Sequence, residues 1–147
     1  MNILNKTVIT KSKKETVSLG KLIGNKLNPG DCLLLSGDLG AGKTTLIQGI
    51  GKGLNIRKIL SSPTFTLVKE YPVSKTSNFI HMDLYRIKSK EEFTKSGMNE
   101  YVNATNICAI EWADKITDYF RKGHYYYINI AYINRNNRKI HIRKRSY

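Results

Sequence analysis

Leu33–Leu46, read as LLLSGDLGAGKTTL, is the stretch that decides the fold. The apolar run beginning at Cys32 is short and uninterrupted, the pattern of a strand covered on both faces. The segment after it matches G-x-x-x-x-G-K-[ST] at Gly37, Gly42, Lys43 and Thr44. Glycines allow such a loop to turn sharply and aim successive N–H groups at phosphate oxygens, and the following helix adds the positive end of its dipole. Lys43 is placed to neutralise terminal phosphates, and the Thr44 hydroxyl to ligate Mg²⁺. The motif follows a strand pattern and opens a helix, the setting it requires. A nucleoside triphosphate is therefore the expected ligand.

The surrounding sequence fits that reading. Upstream, KTVIT (6–10) reads as a short strand, and Ser12 and Glu15 have the S-x-x-E spacing of a capping box. Leu19, Ile23 and Leu27 then recur at helical spacing, predicting a helix to about Asn28, where NPGD stops it. Downstream, Leu46, Ile47, Ile50 and Leu54 form one helical face. Gly49, Gly51 and Gly53 lower that helix's intrinsic propensity, so packing has to support it. SSPTFTLVKEYPV predicts a loop leading into an edge strand, and SNFIHMDLY and NICAIEW contain two further apolar runs. SKEEFTKSGMNEYV reads as short helices broken near Gly97, ADKITDYF as a helix, and YYYINIAYI with RKIHIRK as a terminal hairpin. The expected fold class is α/β: a single P-loop NTPase-like domain over residues 1–147. Its sheet should be mostly parallel, flanked by helices, with an antiparallel edge or C-terminal hairpin.

Phosphate chemistry on such a loop needs an acidic residue at the end of a neighbouring strand, to hold Mg²⁺ and help polarise the attacking water. Asp83 ends FIHMD and Glu111 ends ICAIE, so each should emerge at the carboxyl end of a core strand, on the ligand side of the sheet. The bland reading of either residue is a solvated charge at a strand end. Thr64 and Thr66, behind Pro63, could sense a γ-phosphate as switch loops do, or be ordinary loop threonines.

Composition narrows the class. The chain has 147 residues with 40% hydrophobic content, which suits one globular domain. No run approaches the roughly 18 to 20 apolar residues of a membrane helix, and no signal peptide is evident, so a cytoplasmic protein is expected. Cys32 and Cys108 lie inside apolar runs and read as buried thiols. Lys and Arg total 25 against 11 Asp and Glu, a net charge of +14. That charge reads equally as a polyanion-binding surface or as a general compositional bias. No carboxylate follows Asp118, whereas Arg121, Lys122, Arg135, Arg138, Lys139, Arg143, Lys144 and Arg145 do, giving the C-terminal segment a positive face.

GDLGAGKTTLIQGIGKGL, SSPTFTLVKEY, HMDLYRI and ICAIEWADK, with the weaker GMNEYV before the last, occur here in an order that resembles the TsaE (YjeE) family. These are small bacterial ATPases of tRNA threonylcarbamoyladenosine synthesis. The resemblance runs from Gly37 to Lys115 and implies that Gly37, Asp38, Leu39, Gly40, Ala41, Gly42, Lys43, Thr44 and Thr45 hold the phosphates of ATP. It implies Mg²⁺ contact by Thr44 and Glu111, support of the metal or of hydrolysis by Asp83, and a nucleotide-responsive loop containing Thr64. Trp112 matches a characteristic family position. The family's members are accessory ATPases, weak on their own, that act with TsaD and TsaB rather than transferring the threonylcarbamoyl group. The resemblance therefore implies TsaD and TsaB as partners and tRNA as an indirect partner, or one reached through the basic C-terminal segment. Residues from Ile116 onward match no family motif, and adenine contacts are expected near Thr10 to Glu15.

A small-molecule P-loop kinase is the rival reading. Such an enzyme needs an acceptor pocket, usually closed by an arginine-bearing lid, and no arginine-rich segment of that kind is visible. Arg86 could serve as a catalytic arginine or as a structural ion pair.

Overall fold

β2 (Cys32–Ser36) lies at the centre of the sheet, with all five residues buried. It runs parallel to β5 (Ile107–Glu111) on one side and to β6 (His124–Tyr132) on the other. The computed structural model describes residues 3, 5–63, 66–120 and 124–146. The remaining strands are β1 (Lys6–Thr10), β3 (Val68–Pro72), β4 (Asn78–Asp83) and β7 (Arg138–Ser146). Together they form one seven-stranded sheet in the order β1-β7-β6-β2-β5-β4-β3. Its central strands β6, β2, β5 and β4 are parallel, and antiparallel pairs flank them on both sides. The fold is thus α/β with a mixed sheet. The terminal hairpin and the edge strand β3 stand where the sequence predicts them.

Alternation along the strands divides the core in two. Leu33 and Leu35 of β2 face one cluster, Cys32 and Leu34 the other. Helices α1 (Lys13–Gly24) and α2 (Lys43–Gly53) cover the first face. The second is covered by α3 (Lys90–Lys95) and two 3₁₀ segments, Met98–Tyr101 and Ala113–Phe120. ADKITDYF therefore forms a 3₁₀ segment, interrupted at Ile116 (φ −126°), instead of a regular helix. Ala113, Ile116 and Phe120 are its buried residues.

α1 and α2 pack backbone to backbone. A Cβ on Gly20 would collide with the Leu46 carbonyl and stand 2.9 Å from Gly49 Cα, and one on Gly49 would collide with the Val17 carbonyl. The glycines that weaken α2 as an isolated helix are what let it sit this close to α1. Ser12 caps α1 by accepting the Glu15 N–H at 3.1 Å. Glu15 reaches back to the Lys11 N–H at 2.7 Å, one residue before the position a standard capping box uses. The helix stops at Gly24, with Asn25 as its cap, four residues short of Asn28. Cys32 and Cys108 oppose each other across β2 and β5 as buried free thiols. No helix among the described residues is long and apolar enough to cross a membrane.

Candidate functional site

Strand register assembles the site. Leu35 pairs with Glu111, and Glu111 with Asp83, so both carboxylates leave the sheet level with the start of the glycine-rich loop. The loop runs from β2 into α2, and Gly42 at its end adopts φ 111°, a left-handed conformation costly for a residue bearing a Cβ. Among the described residues no side chain caps α2, and its first turn carries no acidic residue. Its first N–H groups and its dipole therefore remain free to meet an anion.

Lys43 is 5% exposed. Its ammonium donates to the carbonyls of Gly37 at 2.5 Å and Asp38 at 3.0 Å. It also lies 4.1 Å from the centroid of the Trp112 ring. Burial holds its pKa below the ordinary 10.5, opposed by the charges of Glu111, Asp83, Asp38 and Asp114. A partly desolvated ammonium whose hydrogen bonds go to neutral carbonyls is well placed to exchange those partners for phosphate oxygens. Trp112 itself takes φ 58°, an uncommon backbone conformation for a bulky side chain, which turns the chain immediately after Glu111. Its ring packs edge-on against Tyr85, with centroids 5.1 Å apart.

The Thr44 hydroxyl donates to Glu111 Oε1 at 3.2 Å. Asp83 accepts the Tyr85 N–H on Oδ1 at 2.9 Å and the Ser62 hydroxyl on Oδ2 at 3.2 Å. Hard oxygen donors from Thr44, Glu111 and Asp83 thus converge, a set that suits Mg²⁺. Lys43, Thr44, Ser62, Asp83, Glu111 and Trp112 line one cavity of about 460 Å³ beside the loop, together with Leu39, Gly40, Gly42 and Thr45. Thr64 lies outside the described residues. Thr66 and Arg86 are exposed and do not line this cavity.

Three contributors escaped the sequence reading. His81 is fully buried, and its Nε2–H donates to Glu111 Oε2 at 2.6 Å. Its position two residues before Asp83 on β4 was the available signal, because alternate strand residues share a face. Ser62 lies in the loop before β3, and no spacing in the sequence marks it as a partner of Asp83. Arg138, at the start of β7, donates through Nε to the Ala41 carbonyl at 2.8 Å and through Nη1 to the Asn134 carbonyl at 2.8 Å. It ties the hairpin turn to the glycine-rich loop, and no local pattern announces a contact spanning 97 residues. A second cavity of about 280 Å³ opens on that side of the loop, between Lys13 and Thr16 of α1 and Arg135, Asn136 and Arg138 of the hairpin.

Residues 10–140 match the family described as threonylcarbamoyl adenosine biosynthesis protein TsaE. A Bacillus subtilis protein named tRNA threonylcarbamoyladenosine biosynthesis protein TsaE is 42% identical over 74% of this chain and 67% of its own length. A Nostoc relative of the same name is 44% identical over 71% of this chain, which spans 65% of that protein. The crystal structure of Bacillus subtilis YdiB superposes with a TM-score of 0.76 at 34% identity, covering 93% of this chain and 83% of the other.

Proposed function

The chain belongs to the TsaE family, and from that premise we propose that it is an ATP-binding, weakly ATP-hydrolysing accessory subunit of tRNA threonylcarbamoyladenosine synthesis. In this reading it acts in the cytoplasm with TsaD and TsaB. One observation carries the proposal: Lys43, Thr44, Asp83 and Glu111 converge on a single cavity beside an uncapped helix N-terminus.

The phosphates lie along residues 37–45, where backbone N–H groups and the α2 dipole favour negative charge. Lys43 leaves the Gly37 and Asp38 carbonyls to neutralise the terminal phosphates. Thr44, Glu111 and Asp83 would hold Mg²⁺, which supplies charge neutralisation at the transferred phosphoryl group. Glu111 and Asp83 also orient the attacking water, and Trp112 shields the Lys43 side of the site from solvent. The nucleoside lies across the loop, in the cavity between α1 and the β6–β7 turn. Lys13, within the Thr10 to Glu15 stretch expected to contact adenine, lines that cavity.

Weak turnover is consistent with a phosphate-side cavity lined by no arginine among the described residues, so charge stabilisation rests on Lys43 and the metal. Leu39 is 83% exposed and Tyr85 is 54% exposed at the mouth. Apolar surface so placed suits a protein partner that closes the site. The test is reconstitution of tRNA modification with TsaD and TsaB from the same source, using wild type, Lys43→Ala and Glu111→Ala. Multi-turnover modification should need the wild-type chain. Equal product without it, or with either variant, sinks the proposal, as does robust phosphorylation of small metabolites by the isolated chain.

A further inference from the structure

The charge on the terminal hairpin is sorted by face. Lys139, His141, Arg143 and Arg145 alternate along β7 and share one side of the sheet. Ile140, Ile142 and Lys144 point to the other, where Lys144 lies 5.5 Å from the Tyr126 ring centroid. Across the β6–β7 ladder the basic row pairs with Ala131, Asn129, Tyr127 and Tyr125, and beyond β7 it meets Ile9 and Thr7 of β1. The second 3₁₀ segment covers this face near Tyr125, whose ring stands 6.1 Å from that of Phe120, and reaches Tyr127, which hydrogen-bonds the Thr117 side chain. Beyond it, Lys139, Arg143, Arg145, Asn129, Ala131 and Thr7 are exposed, and Ile9 is 54% exposed. A groove of about 620 Å³ runs along Tyr127, His141, Arg143 and Arg145, with Thr117 and Asp118 at its edge.

We propose that this open sheet face binds the phosphate backbone of RNA. Alternate residues of a strand stand about 6.7 Å apart in a line, close to the spacing of successive phosphates along a nucleic-acid strand. Guanidinium groups suit phosphate through bidentate hydrogen bonds, and the half-buried Tyr127 ring offers a stacking surface between them. An acidic protein surface would also be attracted by the charge but has no reason to match the strand spacing at which Arg143 and Arg145 follow each other, with Lys139 beyond His141 on the same side. The inference deepens the tRNA-modification reading and rests on it only for the choice of probe.

The test uses an unmodified tRNA transcript, labelled for fluorescence anisotropy and titrated with the nucleotide-free full chain at several salt concentrations. TsaD and TsaB are absent, so the result is independent of whether the ATPase reading holds. Arg143→Ala with Arg145→Ala should weaken binding about tenfold and reduce the slope of log affinity against log salt by about 1.5. Lys139→Ala with Arg143→Ala gives a second variant that leaves Arg145 in place, and thermal melts check that both pairs fold. Lys26→Ala with Lys144→Ala removes the same charge from the opposite side, where both line another cavity, and should bind as wild type does. Equal weakening by the control pair reduces the effect to net charge and overturns the proposal. So does wild-type affinity in both face variants, or no binding by the wild type at low salt.

Discussion

His81 donates to Glu111 Oε2 at 2.6 Å while Thr44 donates to Glu111 Oε1 at 3.2 Å, so the carboxylate is fixed from both sides. His81 and Glu111 are both buried, and His81 Nδ1 has no hydrogen-bond partner among the described residues. A histidine in this position sets the direction of a carboxylate that would hold the metal. His81→Ala is expected to weaken Mg²⁺ binding in the presence of ATP by about 10- to 100-fold, as loss of an orienting partner does. It should also cost about 2 kcal/mol of stability. His81→Gln, which restores a donor, should recover part of the metal affinity. Mg²⁺ titrations and urea unfolding separate these effects, and unchanged Mg²⁺ affinity in His81→Ala would remove the orienting role.

Lys43 links the site to alkaline stability. Burial lowers its pKa from 10.5, so the unfolded chain retains this proton to higher pH than the folded one. Unfolding therefore takes up a proton in the window just below 10.5, and stability rises with pH across it. At neutral pH the ammonium is charged in both states and its desolvation cost is fully present. Subtracting the Lys43→Met stability curve from that of wild type, both nucleotide-free, should give a difference that is flat near neutrality and climbs towards pH 10.5. A difference that falls over that range would contradict the assignment. ATP with Mg²⁺ should raise the melting temperature of the wild type, and the same variant should lose that stabilisation.

Arg138 joins the glycine-rich loop to the hairpin turn through the Ala41 and Asn134 carbonyls, and its guanidinium lies 4.7 Å from the Tyr132 ring centroid. Arg138→Ala should raise the dissociation constant for ADP about tenfold and cost about 1.5 kcal/mol of stability. Calorimetric titration and urea unfolding measure both. If ADP affinity is untouched, the loop keeps its shape without this tie.

Gly49 makes a prediction about the scaffold alone. Its missing side chain lets α2 approach the Val17 carbonyl and Gly20 Cα of α1. Gly49→Ala should destabilise the protein by about 3 kcal/mol, despite the better helix propensity of alanine, because backbone cannot move aside as a side-chain tip can. A gain in stability would show that the helices separate easily.

Much of this protein was determined locally. The apolar run 32–35, the glycine spacing from Gly37 to Gly42, the Ser12 cap and the carboxylates ending two apolar runs each depend on neighbours in the chain. Periodicity and turn chemistry report such neighbours directly. Tertiary structure decided the rest. Register placed Asp83 opposite Glu111 and put His81 in reach of it, a diagonal contact between strands 30 residues apart in the chain. The long return of β7 brought Arg138 to Ala41, and strand alternation separated Lys144 from Arg143 and Arg145, which sequence alone had grouped as one basic tail. Spacing along a chain shows which residues share an element and a face. Only the pairing of distant strands shows which faces meet, because that choice depends on burying two hydrophobic surfaces together.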